Sequence, residues 1–470
     1  MEKKKDKKGF KMPHLLWIMI GLLVVASLLT YVIPAGEFAV DADGKILGDQ
    51  FNLLGYQTPV SPWRMMMLFM DGLTGSGVVI WVVLVSGAMT GVVMATGAID
   101  DFLNWAIYKL KDKNESILIS IMFILMVYLG GFGGTDALIA VVPIGIVFAK
   151  KLKLDPICAI GVSTYATLLG FGTGPIKQAT TEMLMGVSVY GAFFTMFISM
   201  NFFMIIGLFL LLRYIKKLRK NPAISPMYSA GWRPEAMVVN AEDENLLKEV
   251  RLSARTILIL ILFLGQYGLI VAYPFIGGSS ETLYPFMLAI NLLTAVICGF
   301  IGKFSFDQVG DEFAKGLAAL AFVGFVIGLA RVMSLVLTQG HVIHTIVYTL
   351  TRPLMNLPRS IASIGMTAVI SVINLVIPSA TSKAAILVPI LKPIAETLNM
   401  DPRLAVQAFQ YGDGFTNMFS PFLGWTVGSC VMAGVPFPKW FKWVLPKVLI
   451  FIALAFAVML ILTESGWTAF

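Results

Sequence analysis

The chain consists mainly of long apolar runs separated by short clusters of charged residues. About 20 consecutive apolar residues are enough for one helix to cross the hydrocarbon core of a bilayer. The runs are continuous and do not alternate at every second residue, so they predict an all-α polytopic membrane protein and exclude a membrane β-barrel. The pattern predicts nine transmembrane helices, near 13–34, 75–97, 156–180, 190–212, 254–273, 283–302, 316–338, 403–430 and 444–463.

Two further regions have paired apolar arms that are each short for a full crossing. The first covers about 115–153 and has the glycine-rich segment 130–136 between its arms. The second covers about 360–398 and is interrupted from Asn374 to Lys383. Basic residues flank both outer ends of the first region, which places those ends on one side of the membrane. We therefore predict two re-entrant hairpins, hairpin 1 and hairpin 2.

Several predicted segments depart from a simple crossing. The segment 156–180 is interrupted by Gly170-Phe-Gly-Thr-Gly-Pro175, and 403–430 is interrupted at Gln410-Tyr-Gly-Asp-Gly-Phe-Thr-Asn417, so both are predicted to be broken helices. The amphipathic pattern of charged and apolar residues predicts interfacial pieces at 98–113 and 341–352 and an interfacial turn that carries Lys439 and Lys442.

The composition agrees with a membrane protein and excludes several other classes. Of the 470 residues, 57% are hydrophobic and 13% are charged, and the mean hydropathy is +0.83. A soluble domain is about one quarter charged, so the figures exclude a soluble enzyme and a disordered chain. The three cysteines are isolated, which excludes a disulfide scaffold. The net charge of +8 arises from basic residues at the ends of apolar runs, so no nucleic-acid partner is predicted.

The same flanking charges predict the orientation. Six lysines precede the first run, and the loop 35–63 after it is acidic. The polar, proline-containing segment 213–253 is predicted to be a cytoplasmic linker between an N-terminal half, 1–212, and a C-terminal half, 254–470. We expect a multi-pass protein of the cytoplasmic (inner) membrane with its N-terminus in the cytoplasm and its C-terminus outside.

The two halves contain an internal repeat. When residue n is aligned with residue n+246 over 135–175 and 381–421, eleven of 41 positions are identical. They include an Asp-Pro pair, Asp155-Pro156 against Asp401-Pro402. The predicted orientations of the two hairpins are opposite, so we predict an inverted repeat, which is typical of secondary transporters with a site near the midplane. Plain kinks or close helix contacts are the alternative explanation of the glycine-rich breaks.

The hairpins and breaks contain the polar residues most relevant to function, because an intramembrane charge is expensive and marks a functional site by default. Hydroxyl, amide and charged groups suit a carboxylate or an amino acid, and freed backbone carbonyls suit a coupling sodium ion or proton. No other cofactor is predicted. We predict the substrate-binding residues Thr135, Asp136, Asn374, Ser379, Thr381, Ser382, Lys383 and Asn417. We predict the coupling-ion residues Gly134, Gly172, Thr173, Asp413 and Thr416.

Each of these residues also has a structural interpretation. Asp136 and Lys383 either contact the substrate or form a structural ion pair, and the hydroxyl groups also suit helix caps. Asp413 either binds a coupling cation or accepts hydrogen bonds from freed amides. Arg331, midway along an apolar helix, either faces the substrate, pairs with a buried partner or extends to the interface. His341 and His344 are predicted to be interfacial and are not read as ligands.

Four segments carry a family resemblance. They are Thr30-Tyr-Val-Ile-Pro-Ala-Gly-Glu-Phe38, Asn374-Leu-Val-Ile-Pro-Ser-Ala-Thr-Ser-Lys383, Gln407-Ala-Phe-Gln-Tyr-Gly-Asp-Gly-Phe-Thr-Asn417 and Gly434-Val-Pro-Phe-Pro-Lys-Trp440. They resemble the YfcC-like branch of the DcuC (C4-dicarboxylate anaerobic carrier) family of the ion transporter superfamily, which includes arginine/ornithine exchangers. The resemblance implies two inverted repeats, a homodimer with a scaffold and an elevator-type transport domain, and a site lined by 379–383 and 412–417.

The sequence departs from that family at two places. Relatives usually have Pro-Ser-Gly-Ser-Gly-Gln at hairpin 2, where this chain has Pro378-Ser-Ala-Thr-Ser-Lys383. Relatives often have paired glutamates at hairpin 1, where this chain has Thr135-Asp136. Both changes make the site more positive, which favours an anionic or zwitterionic substrate over a cationic one.

The catalytic motifs that would indicate an enzyme are missing from the sequence. It contains neither a zinc-protease HExxH motif nor a Walker loop, and Gln410 stands where an intramembrane aspartyl protease motif needs glycine. We therefore predict an ion-coupled secondary active transporter, a symporter or exchanger, of a small amino acid or carboxylate. A passive channel and a non-transporting membrane sensor are the alternatives.

Overall fold

The computed structural model describes residues 15–42, 46–109, 115–133, 141–188, 190–234, 252–278 and 280–468. This part of the chain is mostly helical, as the apolar runs predict. The helices are α1 Leu15–Val32, α2 Pro62–Gly75, α3 Gly77–Ala95, α4 Ala98–Lys109, α5 Glu115–Gly133, α6 Val142–Lys151, α7 Pro156–Thr173, α8 Ala179–Met185, α9 Phe193–Lys220, α10 Ala254–Ala272, α11 Ser280–Ile301, α12 Phe306–Gln339, α13 Ile343–Thr351, α14 Arg359–Asn374, α15 Ala380–Thr397, α16 Pro402–Asn417, α17 Gly424–Met432 and α18 Phe437–Glu464.

Many of these helices have the length and apolarity of membrane spans. In the part of the chain that the structure describes, seven helices are long and apolar enough to cross a membrane, and three shorter apolar helices accompany them. On α9, the large side chains of Phe194, Ile198, Ile205 and Phe209 are exposed and recur at helical spacing, which gives a stripe suited to lipid. The protein is therefore a multi-pass membrane protein, and the number of nine crossings remains a prediction.

The loop predicted at 35–63 contains regular structure that the apolar pattern does not reveal. Strand β1, Gly36–Val40, pairs antiparallel with strand β2, Ile46–Leu53. The loop then ends in α2, which begins at Pro62 with the Ser61 hydroxyl accepting a hydrogen bond from the backbone N–H of Arg64. The predicted crossing at 75–97 is thus preceded by a further helix, because Ser-Pro supplies a cap and a compatible first residue.

The two Asp-Pro pairs of the repeat have the same structural role. Asp155 precedes α7 and accepts a hydrogen bond from the N–H of Cys158 at 2.9 Å. Asp401 precedes α16 and accepts one from the N–H of Arg403 at 2.9 Å. In both helices proline occupies the first position, where its missing N–H costs nothing. The repeated pair therefore marks two equivalent helix starts.

Helices α7 and α16 form the buried centre. Every residue of α16 from Leu404 to Asn417 is buried, and α7 is almost entirely enclosed. The two helices cross where Gly172 approaches Gly414 so closely that a side chain on either would overlap the backbone of the other. Small residues permit such crossings within membranes.

Both predicted broken helices are interrupted in the structure, but Gly172 and Gly414 themselves lie within helix and not at the interruptions. Helix α7 continues to Thr173 and α16 to Asn417. The interruptions lie later, at 174–178 before α8 and at 418–423 before α17. Glycines 172 and 414 thus serve close helix contact, because both remain within hydrogen-bonded helix.

Three other predicted boundaries shift. Helix α9 extends to Lys220, so the linker begins later than 213, and residues 235–251 of the linker lie outside the described residues. Helix α18 begins at Phe437 and includes the lysines predicted to lie on an interfacial turn. One of them, Lys439, donates hydrogen bonds to the carbonyl of Pro226 at 2.6 Å and to the Ser229 hydroxyl at 2.5 Å, which ties the linker to α18.

Candidate functional site

A cavity of about 370 Å³ lies where the interrupted segments meet. Residues of α12, α3 and the junction between α2 and α3 line it, together with residues of hairpin 2, α16 and the interruptions after α7 and α16. The polar and charged residues that line it are Ser76, Lys177, Thr181, Arg331, Ser334, Ser379, Gln410, Asp413 and Asn417. The predicted breaks therefore gather around one polar cavity, as expected for irregular backbone at membrane depth.

Asp413 is the electrostatic centre of this cavity. Its side chain is completely buried, and one carboxylate oxygen, Oδ1, accepts a hydrogen bond from Nζ of Lys383 at 2.6 Å. The Lys383 side chain is completely buried as well. The other oxygen, Oδ2, forms an ion pair with Nζ of Lys177. A carboxylate is stable in such an enclosed position only when it is paired, so the two lysines and Asp413 form one charged cluster.

Asn374 links hairpin 2 to α16. Its amide nitrogen lies 3.0 Å from the carbonyl oxygen of Asp413, 2.7 Å from the Thr416 hydroxyl and 2.8 Å from Oδ1 of Asn417. Its amide oxygen accepts a hydrogen bond from Nζ of Lys383. Of the predicted substrate-binding residues, Asn374, Lys383 and Asn417 are thus brought together, with Asp413 and Thr416 from the predicted coupling-ion set.

The remaining hairpin 2 residues lie at the start of α15. The Ser379 hydroxyl caps this helix through the N–H of Ser382 at 3.4 Å, and it also lines the cavity. A cap leaves other amides of the first turn available to an anion, so the capping and binding interpretations are compatible. Gly134, Thr135, Asp136 and the side chain of Thr381 lie outside the described residues.

The hydroxyl groups predicted for a coupling ion are bonded within their own helices. The Thr173 hydroxyl donates to the carbonyl of Leu169 at 2.7 Å, and the Thr416 hydroxyl donates to the carbonyl of Gly412 at 2.5 Å. Gly172 packs against α16. Among the described residues, no group of three or more histidine, cysteine, aspartate or glutamate side chains has the arrangement of a metal site.

Lys177 is a site residue that the sequence analysis missed. It lies within the interruption after α7, and its ammonium group lies 3.3 Å from the centroid of the Phe171 ring, a cation–π contact. The amide nitrogen of Gln410 on α16 donates to the carbonyl of Phe171 at 2.7 Å and to that of Gly174 at 3.4 Å, which holds the end of α7 and the start of the interruption against α16. The available signal was a charge within a predicted crossing, two residues after Gly174-Pro175.

Arg331 also lines the cavity. It lies on α12, and its buried Nε atom has no hydrogen-bond partner among the described residues. Among the described residues, the charged groups that line the cavity are therefore two cations, Lys177 and Arg331, and one carboxylate, Asp413, with which the buried Lys383 also bonds. A buried guanidinium nitrogen without a partner is costly, and an anionic group in the cavity would satisfy it.

The two histidines lie away from the cavity, where β1 meets α13. His341 forms an ion pair with Glu37, and Nδ1 of His344 accepts a hydrogen bond from the backbone N–H of Phe38 at 3.3 Å. Burial lowers the pKa of His344 below its ordinary value of 6.5, opposed by the nearby negative charge of Glu37 and reinforced by His341. These contacts attach the β-hairpin to α13.

Multi-pass helices around an enclosed, charged cavity are the features of a membrane transporter. The chain belongs to the DcuC family, because the family profile described as C4-dicarboxylate anaerobic carrier matches residues 12–464. The proteins with which it aligns below include named transporters and no named enzyme.

Two curated proteins align over nearly the whole chain. One is an uncharacterised protein of Haemophilus influenzae, 26% identical over 95% of this chain and 96% of its own length. The other is from Escherichia coli K12 and carries the name "Putative basic amino acid antiporter YfcC"; it is 23% identical over 93% of this chain and 94% of its own length.

Two solved structures also align over nearly the whole chain. The YdaH transporter of Alcanivorax borkumensis is 17% identical, with a TM-score of 0.43, and the alignment covers 97% of this chain and 99% of YdaH. MtrF of Neisseria gonorrhoeae, described as illuminating a class of antimetabolite efflux pumps, is 15% identical, with a TM-score of 0.47 and 96% coverage of both chains.

Proposed function

We propose that this protein is a secondary active transporter, a symporter or exchanger, that moves a small carboxylate or amino acid across the cytoplasmic membrane by alternating access. The observation that carries the proposal is the enclosed cavity at the meeting point of hairpin 2 and two helix interruptions. A volume of about 370 Å³ lies at the small end of the range for ligand pockets, which suits a metabolite of a few carbon atoms.

The charges at the cavity favour an anionic or zwitterionic substrate. Two of the three described cationic groups, Lys177 and Lys383, bond with the one carboxylate, Asp413, and Arg331 adds a further positive charge to the lining. A substrate carboxylate would bind to Arg331 on α12 with Lys177 nearby in the same lining. Such an ion pair is charge-assisted and directional when arginine supplies it. The family description names C4-dicarboxylates, whereas the E. coli relative is named for basic amino acids; the described charges favour the acidic class.

The helix boundaries support two repeats. Adding 246 to Pro156–Thr173 gives 402–419, against Pro402–Asn417 for α16. Adding 246 to the last residue of α6, Lys151, gives 397, the last residue of α15. We propose inverted repeats with nine crossings and two hairpins. By family resemblance, we further propose a homodimer in which a scaffold holds an elevator-type transport domain, with the N-terminus in the cytoplasm and the C-terminus outside.

The cavity favours alternating access over the alternatives. Lys383 and Asp413 are completely buried, so the charged cluster does not line an open pore as a channel filter would. A channel would give currents in planar bilayers, and a sensor would bind ligand without moving it. The transporter would accumulate or exchange substrate in response to a gradient.

Reconstitution tests the proposal. Purified protein in liposomes loaded with the same unlabelled compound should take up labelled C4-dicarboxylates, acidic amino acids or arginine in a counterflow assay, which does not depend on the driving ion. Protein-free liposomes and the variant Lys392→Gln, at a half-buried position of α15 that does not line the cavity, are the controls. The proposal predicts uptake for at least one compound and a preference for the acidic ones. Absence of counterflow and of gradient-driven uptake across the whole panel would reject it.

A further inference from the structure

Building on the proposed transport function, we infer that the ammonium group of Lys383 takes the place of a coupling sodium ion. The carrier then works without sodium, and a proton or an exchanged substrate drives it. A tethered cation in the protein would supply the charge that a bound sodium ion supplies in a sodium-coupled carrier.

The contacts of Lys383 are those of a coordinated cation. Its Nζ atom lies 2.6 Å from Oδ1 of Asp413 and bonds with Oδ1 of Asn374. The ring centroid of Phe409 is 5.4 Å away. These partners come from α14 and α16, so one cation on α15 joins three helices. The side chain is fully buried.

The position of Lys383 in α15 is energetically unfavourable for a lysine that has only a structural role. Its backbone N–H makes the first hydrogen bond of α15, to the carbonyl of Ser379 at 3.0 Å. The side chain therefore starts from the first turn, where the helix dipole favours negative charge and opposes a lysine. Burial adds a desolvation penalty. A cation retained against both effects is explained by a site that requires a positive charge there.

The oxygens predicted to bind a coupling ion do not form a sodium cage in the described structure. Both carboxylate oxygens of Asp413 bond with lysine ammonium groups. The hydroxyls of Thr173 and Thr416 are directed to carbonyl oxygens of their own helices. A hard cation needs several oxygen ligands that converge on one point. The described residues supply that convergence to Nζ of Lys383.

The repulsion between the Lys383 ammonium group and a sodium ion sets the size of the expected effect on sodium binding. A sodium ion near Asp413 would lie close to an ammonium group of the same charge. For unit charges about 4 Å apart at an effective dielectric constant of about 20, the repulsion weakens binding about a thousandfold. Removing the ammonium group while leaving Asp413 and Asn374 in place therefore opens the position to sodium.

Direct sodium binding tests the inference. Purified wild type, Lys383→Gln and Lys392→Gln are incubated with sodium-22 in a scintillation proximity assay, with choline chloride holding the ionic strength constant. Lys392 lies on the same helix and does not line the cavity, so its variant is the matched control. We expect no saturable binding to the wild type or to Lys392→Gln. Lys383→Gln should gain saturable binding at least about tenfold tighter than any wild-type signal, about 1.4 kcal/mol.

Two results would overturn the inference: saturable sodium binding by the wild type, or a monodisperse, folded Lys383→Gln protein that gains none. If Lys383→Gln does not fold, Lys383→Met supplies a second neutral side chain of similar length, and the wild-type measurement requires no variant. The assay involves no transport. Failure of the liposome experiment would therefore reject the proposed function and leave the sodium result standing on its own.

Discussion

Replacement of Asp413 by asparagine removes the charge at the centre of the site without changing the shape of the side chain. Lys383 and Lys177 both bond with this carboxylate, and their side chains are 0% and 8% exposed. Removing one partner of a buried ion pair costs about 3–5 kcal/mol, because the other charge is left uncompensated. Two ammonium groups lose their partner here, so we expect a loss of at least about 4 kcal/mol in the free energy of unfolding.

Reversible unfolding in mixed dodecyl maltoside and SDS micelles measures this loss. Asp311→Asn on the exposed face of α12 is the matched control, with an expected change within about 0.5 kcal/mol. The double variant Asp413→Asn/Lys383→Gln removes one of the stranded ammonium groups. It should therefore be more stable than Asp413→Asn alone, a non-additivity that contacting residues show and distant ones do not.

The reasoning would be refuted by an Asp413→Asn protein within about 1 kcal/mol of the wild type, since a lost buried pair costs several times as much. A double variant less stable than Asp413→Asn alone would refute it as well. Either result would mean that other groups or water stabilise the ammonium groups of Lys177 and Lys383 once the carboxylate is removed. The three charges would then not depend on one another alone.

Three more expectations follow from the structure. Gly414→Ala should lower the free energy of unfolding by about 3 kcal/mol or more, because its Cβ would overlap the Cα of Gly172 and lie 2.9 Å from the backbone nitrogen of that residue; Gly310→Ala, with open space around it, should be neutral or stabilising in the same unfolding assay. Arg331→Gln should weaken binding of an acidic substrate about tenfold to a hundredfold without changing the melting temperature of the protein. Arg331→Lys should recover part of the lost affinity. Equal affinities of the wild type and Arg331→Gln in isothermal titration calorimetry would remove Arg331 from the site. Because the pKa of His344 is lowered on folding, its contribution to stability is fully present above pH 6.5 and is lost as the pH falls through the lowered value. Melting curves recorded at several pH values should show that this pH dependence of stability disappears in His344→Gln. If the dependence persists in that variant, another titrating group causes it.

Local patterns predicted the parts of the fold that depend on neighbouring residues. The apolar runs placed α3, α10 and α11 within three residues of their observed ends, because membrane insertion depends on the composition of about 20 consecutive residues. The Asp-Pro pairs of the repeat mark the starts of α7 and α16, since a cap acts on residues two or three positions away. Family membership was also predicted correctly, from four short motifs, three of them in the last third of the chain.

Other predictions failed where one residue type has two uses. Glycine permits both a break and a close helix crossing, and the sequence does not show which applies. At Gly172 and Gly414 the partner lies on the other half of the chain, so the helices continue through these two glycines and are interrupted only after Thr173 and Asn417. The strands β1 and β2 were missed because a short hairpin leaves little trace in an apolar profile.

The sequence by itself determined that this chain is a multi-pass membrane protein with few charges inside its apolar stretches. It identified Asp413, Lys383 and Asn374 as candidates one by one. Only the tertiary structure decided that they form one hydrogen-bonded cluster beside the cavity and that Lys177, 236 residues from Asp413 in the chain, completes it. The physical reason is that a buried charge is stabilised by its nearest partner in space. Distances across the fold therefore decide what each of these charges does.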